Sequence, residues 1–289
     1  MRHRVLRPTI MNAPSQLGHL PIALLVITHN EAHTIARCLD SVPFAVEKIV
    51  VDSGSDDGTV AIATAHGARV VTQRWLGFGA QRNFATTLAS CDWILFLDAD
   101  EALSPELVAE LKRDLPRLMQ SNSAAGVLIR TAEFMGKPMR WYRLMARERK
   151  ARIYHRQRAT WSEVRVHESL NYDGADVTFH APFIHYLNPT LVHHELKYLR
   201  YAELKARDWQ ERRRSSRPYE WPFVFLATFI KDYFFRLALL DGWRGFAAAW
   251  LAANYALYKR LRYYEMQQFP ESIPLAKEAL LKHKLERRT

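Results

Sequence analysis

Cysteine is scarce in this chain of 289 residues: Cys38 and Cys91 are too few for a disulfide framework and lack metal-ligand spacing. Two small core residues in a reducing cytosol are the expectation. Long apolar runs are missing as well. No segment reaches the roughly 18 uninterrupted apolar residues of a transmembrane helix. Trp221 to Ile230 and Phe246 to Tyr258 come nearest and are too short. No apolar stretch follows Arg2, Arg4 and Arg7, so residues 1–20 are expected to be a mobile arm rather than a secretory signal. The glycine-rich patterns G-x-x-x-x-G-K-[ST] and G-x-G-x-x-G do not occur, and there is no internal repeat or low-complexity tract.

What is present suffices for a large core. The chain is 48% hydrophobic and 12% aromatic, which excludes disorder over most of its length. Its net charge of +11 is unevenly placed. Residues 1–130 hold 12 Lys and Arg against 13 Asp and Glu, whereas the remainder holds 29 against 17. A near-neutral first half and a basic second half imply a catalytic core followed by a surface that meets something anionic.

Residues 21–130 alternate between short apolar runs and helical stretches. Ala23 to Thr28, Lys48 to Val51, Arg69 to Thr72, Trp93 to Leu97 and Gly126 to Arg130 read as strands. Residues 35–42, 59–66 and 79–89 read as helices, and Ser104-Pro105-Glu106 starts another, with Ser as cap and Pro at the first helical position. Strand alternating with helix is the pattern of an α/β fold with a mostly parallel sheet flanked by helices. Ligands bind such sheets beyond the carboxyl ends of the strands. The polar clusters 29–31, 52–57 and 98–101 all fall at such ends, so they are expected to converge on one crevice. From Thr131 the alternation breaks down, and from Leu191 onward the pattern is helical.

Asp98-Ala99-Asp100 follows the apolar run Trp93 to Leu97. Two carboxylates one residue apart at a strand end can face one crevice. One can hold a hard divalent cation, Mg²⁺ or Mn²⁺, while the other accepts from a ribose or also meets the metal. The metal's task there would be to stabilise charge on a departing nucleoside diphosphate. Asp52, after the second strand, can accept from a base N–H, and Gly54 lets the backbone turn tightly beside a ligand. Asp56, Asp57 and Thr59 read better as a turn and helix cap. Thr28, Asn30 and Glu31, closing the first strand, are further candidates for the nucleotide sugar, and Arg82 can reach the base or diphosphate.

Together, Ile27-Thr28-His29-Asn30-Glu31, the run Val51 to Thr59, Gly79-Ala80-Gln81-Arg82-Asn83 and Leu97-Asp98-Ala99-Asp100-Glu101 resemble glycosyltransferase family 2, over about residues 20–130. Within it, Gly77-Phe78-Gly79-Ala80-Gln81, Val166-His167-Glu168 and His185-Tyr186 resemble the β-1,4-glucosyltransferase branch acting on the lipopolysaccharide inner core. His29 departs from the Lys or Arg usual there. The resemblance implies a GT-A (Rossmann-like) fold, with Asp52 and Arg82 on the nucleobase, Asp98 on the ribose and Asp100 on the metal.

An inverting transfer needs a base to take the acceptor hydroxyl proton. Glu168, a carboxylate in a basic stretch, is the candidate; Glu163, Asp173 and Asp176 are its rivals. His185 can complete the metal shell or be a packed histidine. Arg143, Arg147 and Trp161 are candidates for an anionic lipid-linked acceptor, as are Arg140, Arg149 and Arg152 for its phosphates. No nucleic-acid module is present. Aromatics from Trp221 to Leu226 beside Lys231, Arg236 and Arg244 suit either a membrane headgroup boundary or an aromatic helical core.

The expected organisation is an arm at 1–20 and a GT-A domain at 21–190, followed by a helical basic extension at 191–289. Within the domain, 21–130 is the nucleotide-sugar half and 131–190 the acceptor half. The expected activity is an inverting, metal-dependent sugar transfer, glucose from UDP-glucose, in the cytoplasm at the inner membrane face. A capsule or exopolysaccharide transferase, and a non-catalytic nucleotide-binding relative at the membrane, are the competing readings.

Overall fold

The computed structural model describes residues 19–162, 169–186, 190–212 and 217–276. The chain forms two compact units. Residues 1–128 with 151–181 make the first, and 129–150 with 182–289 the second. The stretch 129–150 groups with the C-terminal helices. Of the expected arm, residues 1–18 lie outside the described residues, and Leu20 already opens the first strand.

The first unit is α/β. Its centre is β1 (Leu20–Thr28), whose residues from Ile22 onward are all buried, as a strand covered on both faces requires. β2 (Ala45–Asp52) and β4 (Trp93–Asp98) pair with it in parallel, and β3 (Arg69–Thr72) pairs with β2. Thr28 sits opposite Asp52, and Ile27 opposite Asp98. The carboxyl ends of the three inner strands are therefore level, which brings the sequence-distant polar clusters side by side.

Local chemistry sets the helices between them. α1 (Ile35–Asp40) buries Ile35 and Leu39; α2 (Thr59–Ala65) ends before Gly67, whose φ of 78° suits the left-handed turn after a helix. α3 (Phe78–Leu88) precedes β4. α4 (Pro105–Gln120) follows the short β5 (Glu101–Leu103), capped by Ser104, whose hydroxyl accepts the Leu107 N–H at 3.1 Å. Its buried Leu107, Leu111, Leu115 and Leu118 form one stripe.

The fifth long strand, β6 (Ala125–Phe134), does not lie beside β4, as simple alternation implies. β8 (Glu148–His155) is inserted between them and runs antiparallel to β4, with Trp93 opposite His155 and Leu95 opposite Ile153. This places Arg152 beside the carboxyl end of β4. β9 (Ala159–Trp161) and β10 (Leu170–Tyr172) form a separate antiparallel pair, and β11 (Asp176–Tyr186) completes the strands that alternation missed. β7 (Lys137–Pro138) is a two-residue partner of β6 in the second unit.

The second unit is mainly helical. α7 (Gly242–Gln268) packs against α5 (Leu191–Glu211) and α6 (Trp221–Ile230). Between α5 and α7, the buried Arg262 guanidinium donates to Glu203 at 2.5 Å and to the Ser272 hydroxyl at 2.8 Å. Phe134, Met139 and Tyr142 share a core with Ala248 and Leu251 of α7, which explains why 129–150 belongs here. No helix among the described residues is long and apolar enough to cross a membrane.

Candidate active site

The loops after β1 and β2 are laced together. The Asn30 N–H donates to the Ser55 hydroxyl (2.8 Å), and its side-chain amide exchanges two hydrogen bonds with Asp56. The Glu31 N–H donates to Thr59 Oγ1 at 2.8 Å, and the Ala32 N–H to Asp57 at 3.1 Å. Asp56, Asp57 and Thr59 thus serve the turn and the helix start. Burial would raise the Asp57 pKa, but hydrogen bonds from Thr59 and from the Ala32 N–H hold it below its ordinary value. Asn30, expected on the nucleotide sugar, has its amide engaged in this lacing.

Asp52 is 2% exposed and serves the same loop. One oxygen accepts the N–H groups of Gly54 and Ser55 (both 2.9 Å), and the other accepts the Ser55 hydroxyl. Gly54, at φ 89°, permits the turn that aims both N–H groups at one oxygen. Beside it, the Thr28 hydroxyl is buried without a hydrogen-bond partner. The buried Gln81 ties this loop to the next one, donating to Ser53 Oγ (3.2 Å) and accepting the Leu76 N–H (3.2 Å).

At the end of β4, Asp98 is gripped at both oxygens. Arg82 Nη2 donates to Oδ1 at 3.0 Å and Arg152 Nη2 to Oδ2 at 2.8 Å. Arg152 Nη2 also donates to the buried Glu101 at 2.6 Å, and the other Glu101 oxygen accepts the Asp98 N–H at 3.0 Å. Two guanidinium groups thus meet two carboxylates, so the cluster balances its own charge. Burial would raise the Asp98 pKa, but Arg152 and then Arg82 hold it well below the usual carboxylate range. Burial likewise works against the charge on Arg152, and Glu101 and Asp98 overcome it. Asp98 keeps 31% of its side chain exposed, so this ionised carboxylate still reaches solvent. Asp100 is half-exposed two residues on.

Aromatic rings carry the arginines. The Arg82 guanidinium lies 4.6 Å from the Trp161 ring centre and 4.8 Å from that of Phe96. Trp161, expected to meet the acceptor, is 4% exposed and donates its indole N–H to the Tyr154 hydroxyl at 3.3 Å. It supports Arg82 instead of presenting a stacking face. Arg152 is 4% exposed, so it too is withdrawn from the acceptor phosphates that its place in a basic run suggested. Glu101, Gln81 and Asn83 stand outside the candidate residues that the sequence marks. The signal for Glu101 was its carboxylate directly after the Asp98-Ala99-Asp100 triplet, inside an apolar setting.

The matched family model is Glycosyl transferase family 2, and it spans residues 23–167, half of the chain. The chain belongs to this family. An uncharacterized glycosyltransferase of Rickettsia prowazekii is 30% identical over 83% of this chain and 85% of its own length. The lipopolysaccharide core biosynthesis glycosyltransferase LpsC of Rhizobium meliloti is 26% identical over 85% of this chain and 93% of its own. Other rickettsial glycosyltransferases match at higher identity, but this chain spans only about a third of their length. Among solved structures, glucosyl-3-phosphoglycerate synthase of Mycobacterium tuberculosis aligns at 27% identity. That alignment covers 39% of this chain and 43% of that one, with a TM-score of 0.32. The strand-end clusters of this family 2 chain all lie within the matched span.

Arg143 and Arg147 are exposed on the second unit, and His185 is half-buried on β11 in that unit. Glu168, with its rival Glu163, lies outside the described residues. Among the described residues no group of three or more His, Cys, Asp or Glu is placed to hold a metal ion.

Proposed function

We propose that this chain is an inverting, metal-dependent glycosyltransferase that moves glucose from UDP-glucose to a lipopolysaccharide inner-core acceptor. One observation carries the reading: Asp98 is bonded at both oxygens by Arg82 and Arg152, while Asp100 stands half-exposed two residues further on. A carboxylate fixed in this way suits the ribose hydroxyls, which it can accept at its remaining lone pairs. Asp100 is then the metal ligand.

The donor set fits that assignment. Mg²⁺ is commonly held by one or two carboxylates with substrate phosphates completing its shell, so a full protein cage is not needed. Bound at Asp100, the cation would neutralise charge on the departing diphosphate. The chain's own residues do the rest. Asp52, Thr28 and Glu31 line the base and ribose end. Arg82, held by Asp98 and Trp161, fixes the floor of the crevice. Glu168 takes the proton from the acceptor hydroxyl as its oxygen attacks the anomeric carbon and the bond to the diphosphate breaks.

The lipopolysaccharide acceptor is supported by the likeness to LpsC along most of both chains and by Val166-His167-Glu168. Exposed Arg143 and Arg147 suit an anionic, lipid-linked glycan, and the apolar surface of the second unit suits peripheral contact with the inner face of the cytoplasmic membrane. Asp100→Asn tests the core of the proposal. Transfer from UDP-glucose should vanish, and Mn²⁺ should no longer tighten UDP binding, while the far-UV spectrum and melting temperature stay unchanged. Retained metal-dependent transfer would sink the assignment.

A further inference from the structure

Within the second unit, Lys137, Arg140, Trp141, Leu240, Asp241 and Arg244 line a cavity of about 400 Å³. Three cations face one carboxylate there, and that carboxylate is already engaged. Asp241 accepts the backbone N–H groups of Arg140 (2.9 Å), Trp141 (3.1 Å) and Tyr142 (2.8 Å). Its role is to hold the loop that carries Arg140. Among the described residues, Lys137, Arg140 and Arg244 make no ion pair, and Arg244 Nε is buried with no hydrogen-bond partner. Like charges gathered around a cavity repel one another and favour an anion between them.

The surroundings of the cavity are apolar. Trp141 is 54% exposed and Leu240 50%, both on its wall, and Trp243, next to Arg244 in the chain, is 64% exposed. Beyond the cavity wall, the same unit also exposes Phe235 (73%) and Phe223 of α6 (71%). Half of the ten residues of α6 are exposed, and almost all of the ten are apolar. Exposed apolar surface of this kind marks an interaction site. At ten residues α6 is about half the length needed to span a bilayer. Apolar rings with Lys and Arg beside them match a segment lying in the headgroup boundary.

We propose that the cavity is a headgroup site for an anionic phospholipid, with Lys137, Arg140 and Arg244 on the phosphate and Trp141, Leu240 and Trp243 at the acyl boundary. The surrounding apolar surface is what favours a lipid over a soluble phosphate. This inference rests on the peripheral membrane contact of the proposed function and gives it a specific binding site.

Sedimentation of the full-length chain with vesicles tests it, at one ionic strength, using phosphatidylcholine alone or with one third phosphatidylglycerol. The wild-type chain should bind the phosphatidylglycerol vesicles and not the others. Lys137→Gln with Arg140→Gln, both on exposed side chains, should weaken binding roughly thirtyfold, about fivefold per charge. Removing the same charge from α4, by Lys112→Gln with Arg113→Gln, should leave binding within twofold. Phe235→Ser with Trp243→Ser should also release the protein from the vesicles.

Equal binding by the wild type and the Lys137/Arg140 variant, or an equal loss in the α4 control, would overturn the headgroup site alone. Equal binding to phosphatidylcholine vesicles would do the same. No binding to either vesicle would overturn the membrane contact with it. If inorganic phosphate raised the melting temperature of the wild type but not of the variant, and vesicles did not bind, the cavity would belong to a soluble phosphate and the lipid assignment would fall. Sugar transfer to a soluble acceptor, measured alongside, separates all of these outcomes from failure of the catalytic proposal.

Discussion

The side-chain amide of Asn83 clasps the backbone of Trp161: Nδ2 donates to its carbonyl oxygen and Oδ1 accepts its N–H, each at 2.9 Å. The two residues are 78 positions apart. The clasp links the helix that carries Arg82 to the strand whose ring supports Arg82. It also fixes the chain just before the segment that contains Glu168.

Asn83→Ala should therefore act as the loss of a positioning residue. We expect turnover to fall by up to about a hundredfold, since small misplacements near a reacting centre cost that much. UDP binding, read by calorimetry, should change by less than threefold. A matching loss of UDP affinity would assign Asn83 to the nucleotide pocket instead.

Arg152→Met should destabilise the protein by about 3–5 kcal/mol, because it leaves Glu101 buried without its cation. Arg152→Lys should recover part of this, since a single nitrogen reaches both Asp98 and Glu101 and an ammonium keeps the charge, while its shorter side chain places it less well. Urea denaturation of the two variants measures the difference. Equal stability of Arg152→Met and the wild type would mean that the cluster is not formed in solution.

Gly54→Ala should cost about 1–2 kcal/mol through backbone strain alone. At φ 89° a side chain is disfavoured, yet an added Cβ meets nothing within 4 Å. Because Gly54 and Ser55 hold Asp52, the variant should also bind UDP more weakly. A stable variant with unchanged UDP binding would separate Asp52 from the nucleobase.

The ionised Asp98 predicts an acid limit. Its folded pKa lies below its ordinary value of 3.8, so the stability it contributes is fully present above that value and disappears as the pH falls through the lower, folded one. Melting temperatures between pH 5 and pH 2 should fall more steeply for the wild type than for Asp98→Asn. Parallel curves would show that Asp98 is unpaired.

Glu168→Gln should bind UDP-glucose normally and lose turnover, as expected when the proton acceptor is removed. Undiminished turnover would move the base to Glu163, Asp173 or Asp176.

Much of the first unit was legible in the residues. Continuous apolar runs marked β1 and β4, Ser104 and Pro105 marked the start of α4, and the polar clusters marked the strand ends. These features depend on local chemistry, so spacing alone determined them. Spacing also placed Asp98 at the end of β4 with Asp100 just beyond it. Tertiary structure decided which charges meet. Arg152 lies 54 residues beyond Asp98 in a run of exposed cations, and nothing in its neighbours distinguishes it. It reaches Asp98 only because β8 enters the sheet antiparallel to β4, and strand pairing is set by register across the sheet. Trp161 reaches Arg82 through the separate β9–β10 pair, held by Asn83. The apolar stretch of α6 was equally visible in the sequence. Whether its residues would be buried depended on how the helices around it pack, and that packing set Phe225 and Phe229 against Trp250 while leaving Phe223 and Leu226 exposed.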